Sequence, residues 1–396
     1  MKGTKLEPIL FMLRPIIIIE NIFGKFRYRK LCGNIDTINK TMKCYAILTL
    51  LVPVTMYIIN FANTVLYNTF TETDNAVDVV DEVSAMVTVI QHIISTIMFL
   101  YYSENNVRII KLIVDIDNIL NISHNKQTYK DSRKRIQIII SLITFIYLFA
   151  EFFNFLVCDS ASLVREAIIL FIDFERHLEV LSFCIFITTI KNRVQVVNSH
   201  LEQVIKIKHQ SHVRDIAASD LRNQTNVINI QFAINNHSII HTLATSYDLI
   251  GEACNEINKT FNFNIFRALV STFMYIIITI WATIYDIGTT ETSKSLTHMI
   301  STCIIEILSV ILMSYTCEIM LLKRKSTMIL VNEIVMDYEL TRQMRIQAKA
   351  FMELIELWSL KIYAHDMFII DIKLLLKFIS VSTTYLIVLI QVSHFF

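Results

Sequence analysis

Seven stretches of mostly apolar residues, each about 18–25 residues long, recur along the 396-residue chain. A helix of that length crosses the roughly 30 Å hydrocarbon core of a bilayer. The stretches lie at 44–67, 83–102, 136–158, 167–190, 264–287, 298–322 and 369–392. They predict an all-α, polytopic membrane protein with seven transmembrane helices.

The composition supports long helices and argues against several classes of function. Only five Gly and three Pro are present, so no glycine-rich phosphate-binding loop can be assembled. The net charge of +1 gives no basic field for nucleic acid. Neither a nucleic-acid partner nor a cofactor is therefore expected.

Basic residues alternate between the two sides of the predicted membrane. Thirty Lys and Arg residues stand in the N-terminal segment and in the second, fourth and sixth connecting segments. The other three connections contain only Arg165 and Lys294. Because cytoplasmic loops are enriched in basic residues, the N-terminus is predicted to be cytoplasmic and the C-terminus extracellular.

Two features of the sequence complicate this topology. The fourth span carries the charged residues Asp173, Glu175, Arg176 and Glu179. It is nevertheless retained as a span, because without it the basic segments would no longer all lie on one side of the membrane. The apolar start has the length of a secretory signal peptide. Arg14-Pro15 interrupts it and no small-residue cleavage site follows, so cleavage is not expected.

The predicted topology divides the chain into six parts. They are a cytoplasmic N-terminal segment (1–43), four transmembrane helices (44–190), a long cytoplasmic helical segment (191–263), two further spans (264–322), cytoplasmic helices (323–368), and a last helix with a short extracellular tail (369–396). The cytoplasmic parts show helical periodicity, with apolar stripes at Val194, Val197, Leu201, Val204 and Ile205, and between Ile334 and Trp358. Such stripes need partners, so the spans are predicted to extend inward and pack into a helical base.

Polar and aromatic residues are frequent in the outer halves of the spans. Ionisable groups inside a membrane are candidates for function, and a few polar groups among aromatics suit a small-molecule pocket. The candidate pocket residues are Gln91, His92, Tyr147, Glu151, Asn154, Asp173, Trp281, Tyr285 and Glu306. Alternatively, Asp173 pairs locally with Arg176 or His177, and Glu151 with another helix, only to satisfy buried charge.

The chain ends on Thr384-Tyr385, five apolar residues and Gln391. This pattern resembles the insect gustatory receptors, whose usual ending is TYhhhhhQF, where h is hydrophobic. Val392 stands where Phe is usual. Leu13-Arg14-Pro15 and Gly24 near the start also resemble that family.

The resemblance implies a ligand-gated, non-selective cation channel in the plasma membrane. Its subunits would form a homotetramer, alone or with related subunits, and the last helix of each would surround a central pore. The ligand would be a small-molecule tastant, a sugar, polyol or bitter compound, that reaches the helical bundle from outside. Permeating cations and membrane lipid would be the other partners.

Helical geometry places Thr384, Ile387 and Gln391 on one face of the last helix, with Val388 and Val392 beside it. Four copies of that face would form apolar rings, which close a pore by dewetting, next to an amide ring that helps to solvate a cation. The alternative is a helix that merely packs, with Gln391 at the outer interface. Thr384 and Tyr385 are better suited to packing against a neighbouring helix than to lining the channel.

A membrane-embedded zinc hydrolase with inverted topology, or a receptor that is not a channel, is the competing hypothesis. His209 and His212, like His237 and His241, have spacings that can hold a metal on a helix, but no matching Cys or carboxylate pattern accompanies them. A solvated helix face explains both pairs more simply. No metal site and no enzymatic activity are therefore expected.

Overall fold

The computed structural model describes residues 6–31, 34–67, 76–122, 126–157, 163–217, 225–287 and 294–393. Helices dominate these ranges, as the sequence predicts. They are α1 (Glu7–Ile22), α2 (Lys40–Tyr67), α3 (Ala76–Tyr101), α4 (Ser103–Ile119), α5 (Lys126–Val157), α6 (Leu163–Ala217), α7 (Thr225–Ile287), α8 (Lys294–Met336), α9 (Arg342–Leu357) and α10 (Ile372–Ser393). Two short antiparallel hairpins join β1 (Arg29–Leu31) to β2 (Asn34–Asp36) and β3 (Tyr363–Ala364) to β4 (Phe368–Ile369).

Each of the seven predicted spans overlaps a helix, namely α2, α3, α5, α6, α7, α8 and α10. Within the described ranges, four helical stretches are long and apolar enough to cross a membrane: Lys40–Asn63, Glu82–Tyr101, Ile239–Ile280 and Ile300–Met336. The last predicted span starts too early, because residue 369 belongs to β4. Helix α10 begins at Ile372, where the carboxylate of Asp371 accepts the backbone N–H of Leu374 at 2.9 Å.

Helices α6, α7 and α8 are the longest elements, with 55, 63 and 43 residues. Each is at least twice the roughly 20 residues that a bilayer requires, and the three pack against one another. The periodicity predicted in the segment after span four is confirmed, since Val194, Val197 and Leu201 are completely buried on α6. The connecting segments are therefore continuations of the spans rather than separate loops.

The second apolar stripe, between Ile334 and Trp358, is not one helix. Helix α8 ends at Met336 and α9 begins at Arg342. The side chain of Asp337 accepts the N–H of Glu339, and Thr341 caps α9 by accepting the N–H of Met344. These two side chains satisfy backbone groups that a continuous helix would have paired internally.

Helix α1 packs against α5 and forms part of the main core, with Ile9, Leu13 and Ile16 almost fully buried. Its end is set by Gly24, which adopts a φ of +77°. The N–H of Lys25 then donates to the carbonyl of Glu20 at 2.9 Å. This left-handed glycine terminus turns the chain back into the bundle.

Substituting Gly24→Ala is expected to lower the unfolding temperature of the purified protein. A left-handed conformation costs an L-residue about 1–2 kcal/mol. In addition, a Cβ at this position would lie 2.1 Å from Thr49 Oγ1 and 3.1 Å from the Cα of Ala46. The double variant with Thr49→Ala relieves the closer contact and should recover part of the loss. An unchanged unfolding temperature for Gly24→Ala would contradict this account.

Candidate functional site

Lys25, in the segment after α1, inserts its side chain between α3 and α6. Its ammonium lies 2.8 Å from Glu175 Oε1 and 2.9 Å from Glu179 Oε1, and all three side chains are at most 3% exposed. Glu175 is also 2.7 Å from the ring of His92, and Glu179 is 2.6 Å from Arg267 on α7. We call these five residues the Lys25 cluster. Two buried acids thus meet a lysine, an arginine and a histidine, which is the kind of pairing that a low-dielectric interior requires.

The cluster fixes the protonation state of Lys25. Burial alone would lower the pKa of this lysine, but Glu175 and Glu179 outweigh that effect, so its pKa is raised above the ordinary value. The lysine therefore stays charged at neutral pH. Ser95 on α3 completes the environment by donating to Glu179 at 2.9 Å.

Arg27 makes a second buried attachment of the same segment. Its Nε donates to Glu20 of α1 at 2.7 Å, and its Nη1 donates to Asn106 of α4 at 2.7 Å. The guanidinium carbon also lies 5.1 Å from the ring centroid of Phe186 and 4.9 Å from that of Phe261. Lys25 and Arg27 are among the residues counted for the positive-inside prediction, yet both are core residues. The charge asymmetry rests on the remaining basic residues.

A further group of charged residues, the Arg176 cluster, joins α6 to α8. Arg176 Nη2 is 3.0 Å from Asp173 Oδ1 and forms an ion pair with Glu306. His177 lies 3.3 Å from the same glutamate, and its ring contacts that of Tyr147 on α5 in an edge arrangement. The local pairing of Asp173 with Arg176, weighed as an alternative in the sequence, is present.

The Arg176 cluster keeps unused hydrogen-bonding capacity. Nε and Nη1 of Arg176 are buried without a hydrogen-bond partner among the residues that the structure describes. One side of the guanidinium faces the ring of Tyr275, with a distance of 5.7 Å to its centroid. Buried donors of this kind are costly unless something accepts from them, so they point to a polar ligand atom or an ordered water.

The structure places five of the predicted pocket residues. Asp173 and Glu306 pair with Arg176, Tyr147 contacts the neighbouring His177, and His92 belongs to the Lys25 cluster. Gln91 accepts from Ser271 of α7 at 2.8 Å. All five therefore face the interior of the bundle rather than lipid.

Eight other residues singled out in the sequence lie outside the part of the chain whose side chains are described. They are Glu151, Asn154, Trp281, Tyr285 and Val392, together with His209, His212 and His237. Among the described residues, no group of three or more His, Cys, Asp or Glu side chains is placed to hold a metal ion.

Helix α10 packs on α7 and α8. Phe378 and Tyr385 contact Phe273 of α7, with ring centroids 6.0 and 5.4 Å apart. Ile387 and Val388 remain 52% and 48% exposed in the single chain. An apolar surface of this kind must be covered by lipid or by other subunits.

The face of α10 that points away from α7 contains three of the five residues predicted to line a pore, whereas Val388 lies about 300° around the helix from Tyr385 and so nearer to the α7 side. Relative to Tyr385, Ile387, Gln391 and Thr384 lie about 200°, 240° and 260° around the helix. All three are exposed, and the hydroxyl of Thr384 donates to the carbonyl of Ser380 at 3.0 Å. Of the two residues considered for packing against a neighbouring helix, Tyr385 contacts Phe273 of α7.

Comparison with known proteins identifies the family. The model that describes the 7tm chemosensory receptors matches residues 13–394, nearly the whole chain. The chain belongs to this family. The resemblance to the insect gustatory receptors found in the sequence is thereby confirmed at the level of the chemosensory receptor family. No curated protein sequence matches the receptor.

Solved structures show the same fold. The receptor is similar to the insect olfactory receptor OR5 from Machilis hrabei in complex with eugenol, with a TM-score of 0.67 and 12% sequence identity. The match covers 96% of this chain and 97% of the olfactory receptor. A second structure of OR5 matches with the same values.

Sequence reasoning missed the residues that hold the buried charges together. Glu20, Lys25, Arg27 and Arg267 were not predicted as site residues, although the sequence carries one signal for them. The acidic residues of the fourth predicted span need positively charged partners. Buried basic residues must therefore supply those charges. Nothing in the sequence indicates which base meets which acid.

Proposed function

We propose that this receptor is a gustatory receptor that acts as a ligand-gated, non-selective cation channel of the plasma membrane. The chain crosses the membrane seven times, with a cytoplasmic N-terminus and an extracellular C-terminus. Four copies assemble with α10 of each around a central pore, and the cytoplasmic parts of α6 to α9 form the base. The terminal pattern from Thr384 to Gln391 and the membership of the chemosensory receptor family support this proposal.

The observation that carries the proposal is the exposed face of α10. Gln391 lies one turn beyond Ile387 on an exposed face of α10 that points away from Tyr385, the residue in contact with α7, and it directly follows five apolar residues. An amide in contact with hydrocarbon is unfavourable, whereas an amide that faces water or its symmetry mates is satisfied. The neighbouring aliphatic side chains of the four subunits would then form apolar rings that keep water and ions out of the closed pore.

We place the ligand at the Arg176 cluster. Its donors without partners and its aromatic neighbours suit a small molecule that carries hydroxyl groups. The OR5 structure contains eugenol, a small phenol, so a small-molecule ligand is reasonable for this fold. Sugars, polyols and bitter compounds are the candidate tastants.

Expression of this chain alone in cells without other chemoreceptors tests the function. A panel of sugars, polyols and bitter compounds should include at least one that evokes a cation current, and the current should persist when G-protein signalling is blocked. Cells that lack the receptor are the control. A purified protein that is monomeric and contains bound zinc would instead favour the membrane hydrolase.

A further inference from the structure

A cavity of about 300 Å³ lies between α5, α6 and α8, apart from both charged clusters. Apolar side chains form most of its wall, and α1 contributes Met12. The other apolar lining residues are Ile136, Ile139, Leu181, Cys184, Ile185, Leu312, Tyr315 and Ile319. Ile139 and Tyr315 are 39% and 58% exposed, so the cavity is open on the side where these residues lie.

One end of this cavity is cationic. Arg135 of α5 and Lys191 of α6 line it, and Lys323 follows the lining residue Ile319 by one turn of α8. Among the described residues none of these three side chains forms an ion pair, and no lining residue carries a carboxylate. Asp131 lines an adjacent cavity, where it accepts from Gln127.

The three cations are close enough to affect one another. Burial lowers the pKa of Lys191, and the positive charges of Lys323 and Arg135 lower it further. Such like charges repel, which is unfavourable unless an anion is bound between them. The chain itself supplies none among its described residues.

The positions of the three cations along their helices show where the cationic end of the cavity lies relative to the membrane. Arg135 immediately precedes the predicted span 136–158, and Lys191 and Lys323 immediately follow the spans 167–190 and 298–322. Because the spans alternate in direction, all three lie at the same face of the membrane, which the charge distribution predicts to be cytoplasmic. Basic pockets between helices at that face suit acidic lipid headgroups.

We infer that this cavity binds an anionic phospholipid, with the phosphate at Arg135, Lys191 and Lys323 and an acyl chain between α5, α6 and α8. A soluble anion would leave the apolar wall unused, and an uncharged apolar molecule would leave the cations unpaired. A phospholipid satisfies both. The inference does not depend on channel activity or on the identity of the tastant.

Photo-cross-linking of the full chain tests the site. The receptor is reconstituted in phosphatidylcholine vesicles with phosphatidylserine that carries a diazirine on one acyl chain. Cross-links are expected on the α5, α6 and α8 residues that line the cavity. A phosphatidylcholine analogue with the same diazirine should label them far less.

The charge-removing double variant Arg135→Gln/Lys191→Gln should lower the labelling by about tenfold or more, since a basic group near anionic lipid contributes about 1 kcal/mol. Ile139→Trp, which narrows the cavity and keeps the charges, should also reduce it. The matched control is Lys111→Gln/Lys349→Gln, because both lysines are exposed and lie elsewhere, on α4 and α9. Unfolding temperatures check that all variants are folded.

Three results would overturn the inference. They are equal labelling by the phosphatidylcholine analogue, labelling that is insensitive to the double variant, and loss of labelling when inorganic phosphate is added. The last result would mean that the cations bind a soluble anion instead of a lipid. Because the readout is a mapped cross-link, failure here would leave the current measurements unaffected.

Discussion

Substituting Lys25→Met should destabilise the receptor by about 3–5 kcal/mol, the usual cost of removing one partner from a buried ion pair. The methionine fills nearly the same space, so the loss is mainly electrostatic. Glu175 and Glu179 are 1% and 3% exposed and would lose their shared cation. Arg267 would remain beside Glu179, but Glu175 would keep only the ring of His92 as a close partner. Denaturant-induced unfolding of the purified receptor measures the effect.

Lys30→Met is the matched control. Lys30 lies in the same segment, but it is 54% exposed and its nearest acid, Glu7, is 3.8 Å away. A surface pair of this kind contributes about 0–1 kcal/mol. If both lysine variants lowered the free energy of unfolding by the same small amount, the Lys25 cluster would not hold the N-terminal segment to the bundle.

A double variant separates charge from packing. Lys25→Met together with Glu175→Gln removes an acid as well as the base, so it should be more stable than Lys25→Met alone. The coupling energy from this cycle reports the interaction between the two side chains. Independent, additive effects would contradict the direct contact.

The local structure could be predicted from the sequence because it depends on short-range patterns. The stripe from Val194 to Ile205 indicates a helix whatever it packs against. The pairing of Asp173 with Arg176 follows from their spacing of three residues on a helix. Gly24 stood out in the sequence, and its positive φ explains why that position carries a glycine.

The long-range pairings could not be predicted in the same way. The attachment of Lys25 to Glu175 and Glu179 depends on how α6 is rotated against α3 and on where the turn after α1 directs the chain. Hydropathy records neither quantity. It assigned Lys25 and Arg27 to the cytoplasmic segment, where basic residues are usual, because a single sequence does not distinguish a buried cation from a surface one.

The largest functional effect is expected at α10, where Ile387→Asn should open the channel without ligand. A ring of four aliphatic side chains excludes water from a closed pore, and four amides would admit it. A barrier that falls by about 1.4 kcal/mol raises the basal current about tenfold, and four substituted subunits should reach at least that value. Patch-clamp recording without tastant, normalised to surface expression, measures this current. Gln391→Leu should have the opposite effect and reduce the tastant-evoked current.

Ile379→Asn provides the matched control for this prediction. Ile379 and Ile387 are 55% and 52% exposed on the same helix, so the chemical change and the accessibility are alike. However, Ile379 lies about 80° around the helix from Ile387 and about 120° from Gln391, beside the proposed pore face rather than on it. Basal current from Ile387→Asn but not from Ile379→Asn would assign the pore to one face of α10. Equal currents from both variants, or silence from Ile387→Asn at normal surface expression, would remove that face from the ion path, because only a residue that borders the path changes its hydration.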